Sequence, residues 1–396
     1  MHPSRKISII DAEYGGVESR GYSLLSRSLA NAGENAYKFT VIQDKTSGKW
    51  RKNYDHFPHV KVLVLPVKNK GILGRLLFGF LAVSYAMFFS RVIIMLGVNA
   101  SIFLPMVRII PGTKVIVNID SMRWNQAYRG KLRQIIWKTI ERMAVSFSDK
   151  IVCSNLRLRD YVKTEYKADA VVIGYGGDYL GRDRKQWPID SFPIPAFPTG
   201  EKWIFCRTLV SPSSGVASIL ETFARYPRFG VILMGNWKDS EYGQTLYKHY
   251  FHYRNILFQE YSDDAFVFGL KNADIFLYNF DAGGTHISLR EAMYHKIPVI
   301  AADSPINREI TNNKAFYFSH AADLTYILHN LRPSVLEANA EQLAKIAGES
   351  GLWSIVTDRY FQLIESLFRK KAAVANPVAN PVSQIDSGFV KKTNGQ

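Results

Sequence analysis

The sequence predicts two α/β domains, each built on a parallel, doubly wound sheet. Three observations point there. Short apolar runs of strand length alternate with helical patterns through both halves of the chain, as repeated βαβ units require. Two glycine turns each follow a probable strand and open a helix, at Tyr14-Gly-Gly-Val-Glu-Ser19 and Asp281-Ala-Gly-Gly-Thr285. A stretch rich in charge, proline and glycine over 181–202 separates the halves as an interdomain linker would. The expected organisation is a first domain over 1–180, the linker over 181–202 and a second domain over 203–352. A C-terminal helix over 353–370 and a disordered tail over 371–396, which contains Ala-Asn-Pro-Val twice, complete it.

The elements follow in order. Lys6-Ile-Ser-Ile-Ile-Asp11 is a short buried strand, and after the first glycine turn a helical pattern runs through Leu24, Leu25 and Leu29 to Gly33. The turn lacks the spaced third glycine of a dinucleotide fingerprint. Lys38–Ile42 and Val60–Leu65 are the next strands, joined by a basic, aromatic loop. From Ile72 to Ile110 the chain is strongly apolar but divided by Arg75, Arg91 and Arg108. The uninterrupted pieces fall short of the ~20 residues of a membrane-spanning helix. They read as a buried helix, a strand Val92–Leu96 and a short helix, with a helix partly sunk in a membrane surface as the alternative. Thr113–Asp120 is a strand ending in polar residues, at the edge where parallel α/β sheets hold ligands. Asp120 and Trp124 are therefore candidates for substrate contact, or else a loop cap and a packing aromatic. A helix from Lys131 to Phe147 carries Lys131, Arg133, Lys138 and Arg142 around an apolar stripe, with Arg157, Arg159, Lys163 and Lys167 just beyond. That local excess suggests a membrane-facing or phosphate-attracting surface. Val171–Asp178 ends the first block. Trp203–Arg207, Val231–Gly235, Ile256–Phe258, Ile275–Tyr278, Val299–Ala301 and Phe316–Phe318 are the strands of the second.

Composition narrows the class. The 396 residues are 47% hydrophobic and 21% charged, as in a soluble globular protein with substantial cores. Fifty Lys and Arg against 34 Asp and Glu leave a net charge of +16. Such a balance favours an anionic partner: a phosphorylated small molecule, an acidic membrane surface or nucleic acid. No nucleic-acid-binding module is recognisable. The two cysteines, Cys153 and Cys206, fall within predicted strands or at their ends and are expected to be buried free thiols. The first residues lead directly into a strand, so no secretory leader is expected.

The segment Asp281–Ile300 carries the chemistry. It reads as glycine turn, helix and strand, with Leu289, Ala292 and Met293 as the apolar stripe. A glycine turn opening a helix gathers free amide groups at the positive end of the helix dipole, a ready phosphate site. Glu291 lies opposite the Leu289 stripe, on roughly the same side as Ser288 and one turn from the glycines. Taken alone the segment equally fits a plain βαβ crossover with a solvated glutamate. Arg207 ends the first strand of the second domain, where a guanidinium can pair with diphosphate oxygens in two-pronged fashion, the alternative being a surface salt bridge. There is no Asp-x-Asp pair and no Cys/His cluster of metal spacing. Phosphate charge would therefore be met by Arg207, the Gly283-Gly284-Thr285 amides and the helix dipole, without a metal or other cofactor.

Taken together these motifs resemble the family-4 retaining glycosyltransferases of GT-B architecture, and within them the rhamnosyltransferase-type branch of bacterial capsule, exopolysaccharide and O-antigen synthesis. The resemblance spans residues 6 to about 330. It rests on Tyr14–Ser19, Val117-Asn-Ile-Asp120 with Trp124, Val172–Asp178, Gly235-Asn-Trp237, Ser240-Glu-Tyr-Gly243, Gly283-Gly-Thr285, Ser288–Met293 and Asn307-Arg-Glu309. It implies two Rossmann-like domains facing an interdomain cleft. It also implies transfer of a sugar, such as L-rhamnose from dTDP-rhamnose, to a lipid-linked saccharide at the inner face of the plasma membrane. By the same resemblance Arg207 takes the diphosphate, Gly283, Gly284, Thr285 and Ser288 the phosphate region, and Glu291 the ribose. Gly15 and Gly16 close the donor site from the first domain, and Asp120 lies near the transferred sugar or acceptor. The chain departs from the pattern at three places: Gly283 stands where the wider family has a glutamate, Phe280 where the branch has a histidine, and an uncharged Thr208–Gly215 run follows Arg207. Two other functions suit the same scaffold, a sugar-nucleotide epimerase or hydrolase and a catalytically degenerate membrane-associated scaffold.

Overall fold

The computed structural model describes residues 5–11, 19–33, 36–45, 60–68, 71–122, 130–180, 202–280 and 286–368. The expected linker (but for Lys202) and the C-terminal tail lie outside the described residues.

The first sheet holds β1 (Arg5–Asp11), β2 (Tyr37–Asp44), β3 (Val60–Leu65), β4 (Val92–Leu96), β5 (Lys114–Ile119), β6 (Lys150–Cys153) and β7 (Val171–Val172). The second holds β8 (Trp203–Arg207), β9 (Gly230–Gly235), β10 (Ile256–Glu260), β11 (Ile275–Tyr278), β12 (Val299–Ala302) and β13 (Phe316–Phe318). Their orders are β3-β2-β1-β4-β5-β6-β7 and β10-β9-β8-β11-β12-β13, and the pairings are parallel throughout. Strands β4, β8, β9 and β11 are buried along their whole length. Parallel strands covered on both faces need unbroken apolar runs, which is why these were readable as strands.

The first-domain helices are α1 (Ser19–Ala32), α2 (Gly71–Phe89), α3 (Leu104–Val107), α4 (Lys131–Ser146) and α5 (Leu156–Tyr166). The second domain carries α6 (Val216–Arg225), α7 (Glu241–Tyr250), α8 (Asp263–Asn272), α9 (Ile287–Tyr294), α10 (Pro305–Ile310), α11 (Ala321–Asn330) and α12 (Pro333–Ser350), and α13 (Trp353–Ser366) ends the described chain. Many of the starts are set by side chains. Asn155, Ser240, Ser262 and Ser304 each accept from an amide three residues on, at 2.9, 3.1, 3.0 and 3.2 Å, satisfying donors that the first helical turn leaves open. Both cysteines are buried free thiols.

Each sheet is covered on both faces. In the second domain α8, α9 and α12 pack on one face and α6, α7 and α11 on the other. In the first, α2 to α5 pack on one face. On the other, Tyr22, Leu25 and Leu29 of α1 share a core with Trp353, Val356, Tyr360 and Ile364 of α13. The last helix thus crosses back to close the first domain. Glu365 accepts from Arg5 at 2.6 Å and from the Tyr37 hydroxyl at 2.7 Å, and Phe361 stacks on Tyr37.

Helix α2 corrects the sequence reading. Expected as a buried helix, it runs for 19 residues with Arg75 in its first turns, and only one side of it is buried. Phe78, Ala82, Val83 and Ala86 enter the core while Ile72 and Leu73 stay 81% and 80% exposed. It is the one helix among the described residues long and apolar enough to cross a membrane. It nevertheless connects two strands of one sheet, from β3 at its edge to β4 beside β1, and its inner side is part of that sheet's core.

The two domains meet along Gly174–Asp178. Gly177 donates its amide to Gly351 O at 2.7 Å, and Asp178 accepts the Trp353 amide at 2.8 Å. The fit requires glycine: a Cβ on Gly177 would stand 2.4 Å from Arg290 O and 3.0 Å from Glu291 N, and one on Gly176 would meet the Trp353 ring at 2.5 Å. Leu156, at the start of α5, donates its amide to Glu309 of α10 at 3.0 Å. Gly177→Ala should therefore lower stability by roughly 2 kcal/mol, as overpacking a tight contact does. Gly348→Ala on α12, where the added carbon meets nothing within 4 Å, should raise it by roughly 0.5–1 kcal/mol. Urea unfolding of both variants tests this, and equal responses would contradict the tight seam.

Candidate functional site

Sheet order fixes where a ligand can sit. In the second sheet the chain winds from β8 outward to β10, then returns to β11 on the other side of β8. Helices leaving neighbouring strands on opposite faces open a crevice at the carboxyl ends of β8 and β11. Arg207 is the last residue of β8 and pairs in register with Tyr278, the last of β11. The expected phosphate residue therefore occupies the switch point itself.

Arg207 is no surface residue; it is 5% exposed. Its Nη1 donates to Ser288 Oγ, in the first turn of α9. Its guanidinium carbon lies 5.0 Å from the centroid of the Tyr261 ring, 5.7 Å from that of Phe266 and 5.9 Å from that of Phe280. Aromatic faces attract a cation and hold its plane, so the fork is oriented by packing as well as by hydrogen bonding. Two sources of positive potential, the guanidinium and the amino end of α9, converge on one spot.

Glu291 follows Ser288 by one turn and is fully buried. The solvated glutamate of a plain crossover is thereby excluded. The backbone at Arg290 and Glu291 rests on Gly177, so α9 is pinned from the first domain. Burial pushes the Arg290 guanidinium down to about 10, opposed by Glu309 and reinforced by Arg359.

His286 immediately precedes α9 in a left-handed conformation, φ 46°. Its Nδ1 lies 2.9 Å from the Tyr278 hydroxyl, whose proton is held firmly because burial raises its pKa. With Tyr278 as donor, the imidazole proton belongs on Nε2, which has no hydrogen-bond partner among the described residues. Burial, and then Arg290, pushes the imidazole down to about 3, so it is neutral at ordinary pH.

Asp120 follows β5 in the first domain and is 2% exposed. It accepts from the Tyr175 hydroxyl, and Asn118 donates to Tyr175 at 3.2 Å and to Tyr360 at 3.1 Å. Tyr175 in turn packs edge-on against Trp353. Asp120 is therefore held in a buried network joining β5, the Gly174–Asp178 seam and α13, rather than serving as a loop cap. Of the expected site residues, the structure joins Arg207 with Ser288, sets Glu291 on the same helix, and places Asp120 at the carboxyl edge of the other sheet. Gly15, Gly16, Gly283, Gly284, Thr285 and Trp124 lie outside the described residues.

Three features escaped the sequence reading. Tyr261 directly follows β10 and Phe266 lies on α8, with no sequence link to Arg207. Phe280, noted only as a departure from a family pattern, stands against the guanidinium. The uncharged run after Arg207 is tied down by Asn279, which donates to Thr208 Oγ1 at 3.3 Å and to Ser214 O at 2.6 Å. Beyond it, on the opposite face of β11 from α9, lies a cavity of about 250 Å³ lined by Ser213, Gly215, Asn279, Asp303, Ser319 and His320 among others. Arg207, Ser288 and Glu291 are not part of it.

With this geometry in place, comparison assigns the class. Residues 190–322 match the family described as glycosyl transferases group 1. No curated protein matches the chain. Among solved structures, sucrose-phosphate synthase from Thermosynechococcus elongatus is similar with a TM-score of 0.71 at 15% identity, covering 92% of this chain and 99% of that one. HepE of Anabaena, in complex with UDP and glucose, gives 0.69 at 14% identity over 91% and 100% of the two chains. A glycosyltransferase from Rickettsia africae gives 0.67 at 13% identity over 93% and 100%. The fold is GT-B. The match to group 1 glycosyl transferases is confined to residues 190–322, and the enzyme class is glycosyltransferase, as expected.

The neutral buried imidazole has a measurable consequence. Unfolded, His286 takes a proton near pH 6.5, and folded only near pH 3. Between those values the unfolded chain binds more protons, so stability falls as pH drops. At pH 5 the loss relative to pH 8 is about 2 kcal/mol. His286→Gln should remove that part of the acid sensitivity, read as the difference in unfolding free energy between the two pH values. An unchanged difference would show that His286 is not held neutral.

Proposed function

We propose that this chain transfers a sugar from a nucleotide diphosphate to a saccharide hydroxyl, with retention at the anomeric carbon. The observation that carries the reading is Arg207 at the β8/β11 switch point, fastened to the first turn of α9 with Glu291 one turn further on. HepE of Anabaena, which shares the fold, is described in complex with UDP and with UDP-glucose, which supports a nucleotide-sugar donor here.

In the proposed reaction the bond from the anomeric carbon to the β-phosphate oxygen breaks as positive charge grows on the sugar. The acceptor hydroxyl adds from the same face and its proton passes to the departing diphosphate. Arg207, the α9 amino end and the Gly283-Gly284-Thr285 amides neutralise the leaving charge without a metal, and Glu291 takes the ribose hydroxyls. Gly15 and Gly16 close over the donor, and Asp120 lies toward the sugar or acceptor. Preorganised donors of this kind, with orientation, supply most of a barrier reduction. Following the rhamnosyltransferase-type resemblance, dTDP-L-rhamnose is the first donor to test, with a lipid-linked saccharide of bacterial surface polysaccharide as acceptor. The enzyme would then work from the cytoplasm, peripherally, at the inner face of the plasma membrane.

A thermal-shift panel of nucleotide sugars tests donor binding, since ligand at a hundred times its Kd stabilises the fold by about 2.7 kcal/mol. No shift with any donor would favour the degenerate scaffold. Arg207→Ala should lower kcat/KM by at least about 30-fold, or ~2 kcal/mol. Arg207→Lys should recover only part, because an ammonium cannot reproduce the fork. Wild-type turnover in Arg207→Ala would sink the assignment. Rapid release or isomerisation of donor sugar without acceptor would point to hydrolysis or epimerisation instead.

A further inference from the structure

We propose that the amino-terminal halves of α2 and α4, with Ile102 between them, form a docking face for an anionic lipid bilayer. The inference rests on the proposed lipid-linked acceptor and names the surface that would bring the enzyme to it.

Three observations converge. The first is exposure. On α2, Ile72, Leu73, Leu77 and Phe80 face outward while Phe78, Ala82 and Val83 fill the core. On α4, Leu132 is 72% exposed, and Ile135 beside it is also exposed. The 3₁₀ turn Ser101–Phe103 bridges the two helices: Phe103 packs edge-on against Phe80 at 5.8 Å, the turn also contacts α4, and Ile102 is left exposed between them. A soluble chain hides contiguous apolar surface of this kind unless something covers it.

The second is charge. The exposed basic residues on these two segments are Arg75, Lys131 and Arg133, and α2 contains no acidic residue. The one acidic residue of α4, Glu141, is buried and accepts from Tyr161 and Tyr166. Apolar side chains within a basic setting match an interfacial helix on acidic headgroups, where each cation adds to the attraction. A second copy of this chain is a poorer occupant, because two such faces would set Arg75, Lys131 and Arg133 against their own kind.

The third is position. In a parallel βαβ fold each crossover helix begins at the carboxyl edge of the sheet. Helix α2 follows β3 and α4 follows β5, so their amino-terminal halves stand at the edge where Asp120 lies. A bilayer against this face would meet the protein beside the ligand-binding edge of the first domain, within reach of an acceptor whose lipid stays in the membrane.

The test is co-sedimentation of the full chain with vesicles of phosphatidylglycerol and phosphatidylethanolamine, against vesicles of phosphatidylcholine. The wild type should bind the anionic vesicles at least about tenfold better, and added salt should weaken binding. The triple variant Leu73→Ser, Leu77→Ser, Leu132→Ser should lose at least about tenfold in vesicle affinity, as should Arg75→Gln, Lys131→Gln, Arg133→Gln. Both sets are surface changes, and an unchanged thermal midpoint confirms that they fold. No vesicle binding by the wild type, or full binding by the serine variant, would overturn the proposal. So would a concentration-dependent dimer that the serine variant abolishes, since the face would then belong to a second copy. Nucleotide-sugar thermal shifts on the same samples separate the two readings: vesicle binding without donor binding keeps the dock and sinks the transferase.

Discussion

The approach of Gly177 to the Arg290–Glu291 backbone is the constraint on which the arrangement depends. No side chain fits between the two domains there. The peptide of one domain lies directly on the helix that carries Ser288 and Glu291 in the other. The same short segment donates to Gly351, receives the Trp353 amide at Asp178 and supplies Tyr175 to Asp120. The position of α9 relative to the first sheet is thus set by backbone contact rather than by long, adjustable side chains. A site shared by two domains needs that kind of stiffness, because a displacement of about 1 Å is enough to spoil orientation.

Electrostatics follow from this packing. Arg207 is buried among three aromatic rings and fastened to a serine at the amino end of a helix. Carrying a buried guanidinium costs free energy unless its setting offsets that cost, and here the setting concentrates positive potential at the edge of a crevice. The neighbouring imidazole of His286 stays uncharged, so it adds a directed dipole rather than a further cation. The second sheet presents a fixed positive spot with one buried carboxylate a turn away, a pattern suited to a ligand with an anionic part next to hydroxyl groups.

Much of the fold was legible because the parallel strands are buried on both faces and therefore apolar along their length, as in β4, β8 and β11. Arg207 stood out for a related reason: a charge that ends such a run must sit at the sheet edge. Ser288 and Glu291 were legible from helical spacing. What the sequence could not convey was contact between segments far apart along the chain. The aromatic setting of Arg207 draws on the residue that follows β10, on α8 and on the residue after Asn279. Asp120 is held by Tyr175, some fifty residues away. The three glycines between Ile173 and Asp178 were visible as a motif, but the seam they make depends on Trp353 and Arg290. Helix α2 misled in the opposite way. Its composition is apolar nearly all round, so periodicity could not separate its core side from its outer side, and only the positions of β1, β4 and the Phe103 turn do so.

The return of α13 to the first domain has a consequence for biogenesis. Tyr37, Leu25 and Leu29 find their final covering only in residues that leave the ribosome after the entire second domain. At ordinary synthesis rates of about 5–20 residues per second, that flank of the first domain waits roughly 10–40 s for its last wall. The domain that is made first is the one finished last. A chain cut before Trp353 would keep every strand of both sheets, yet it would leave the first core open along one side.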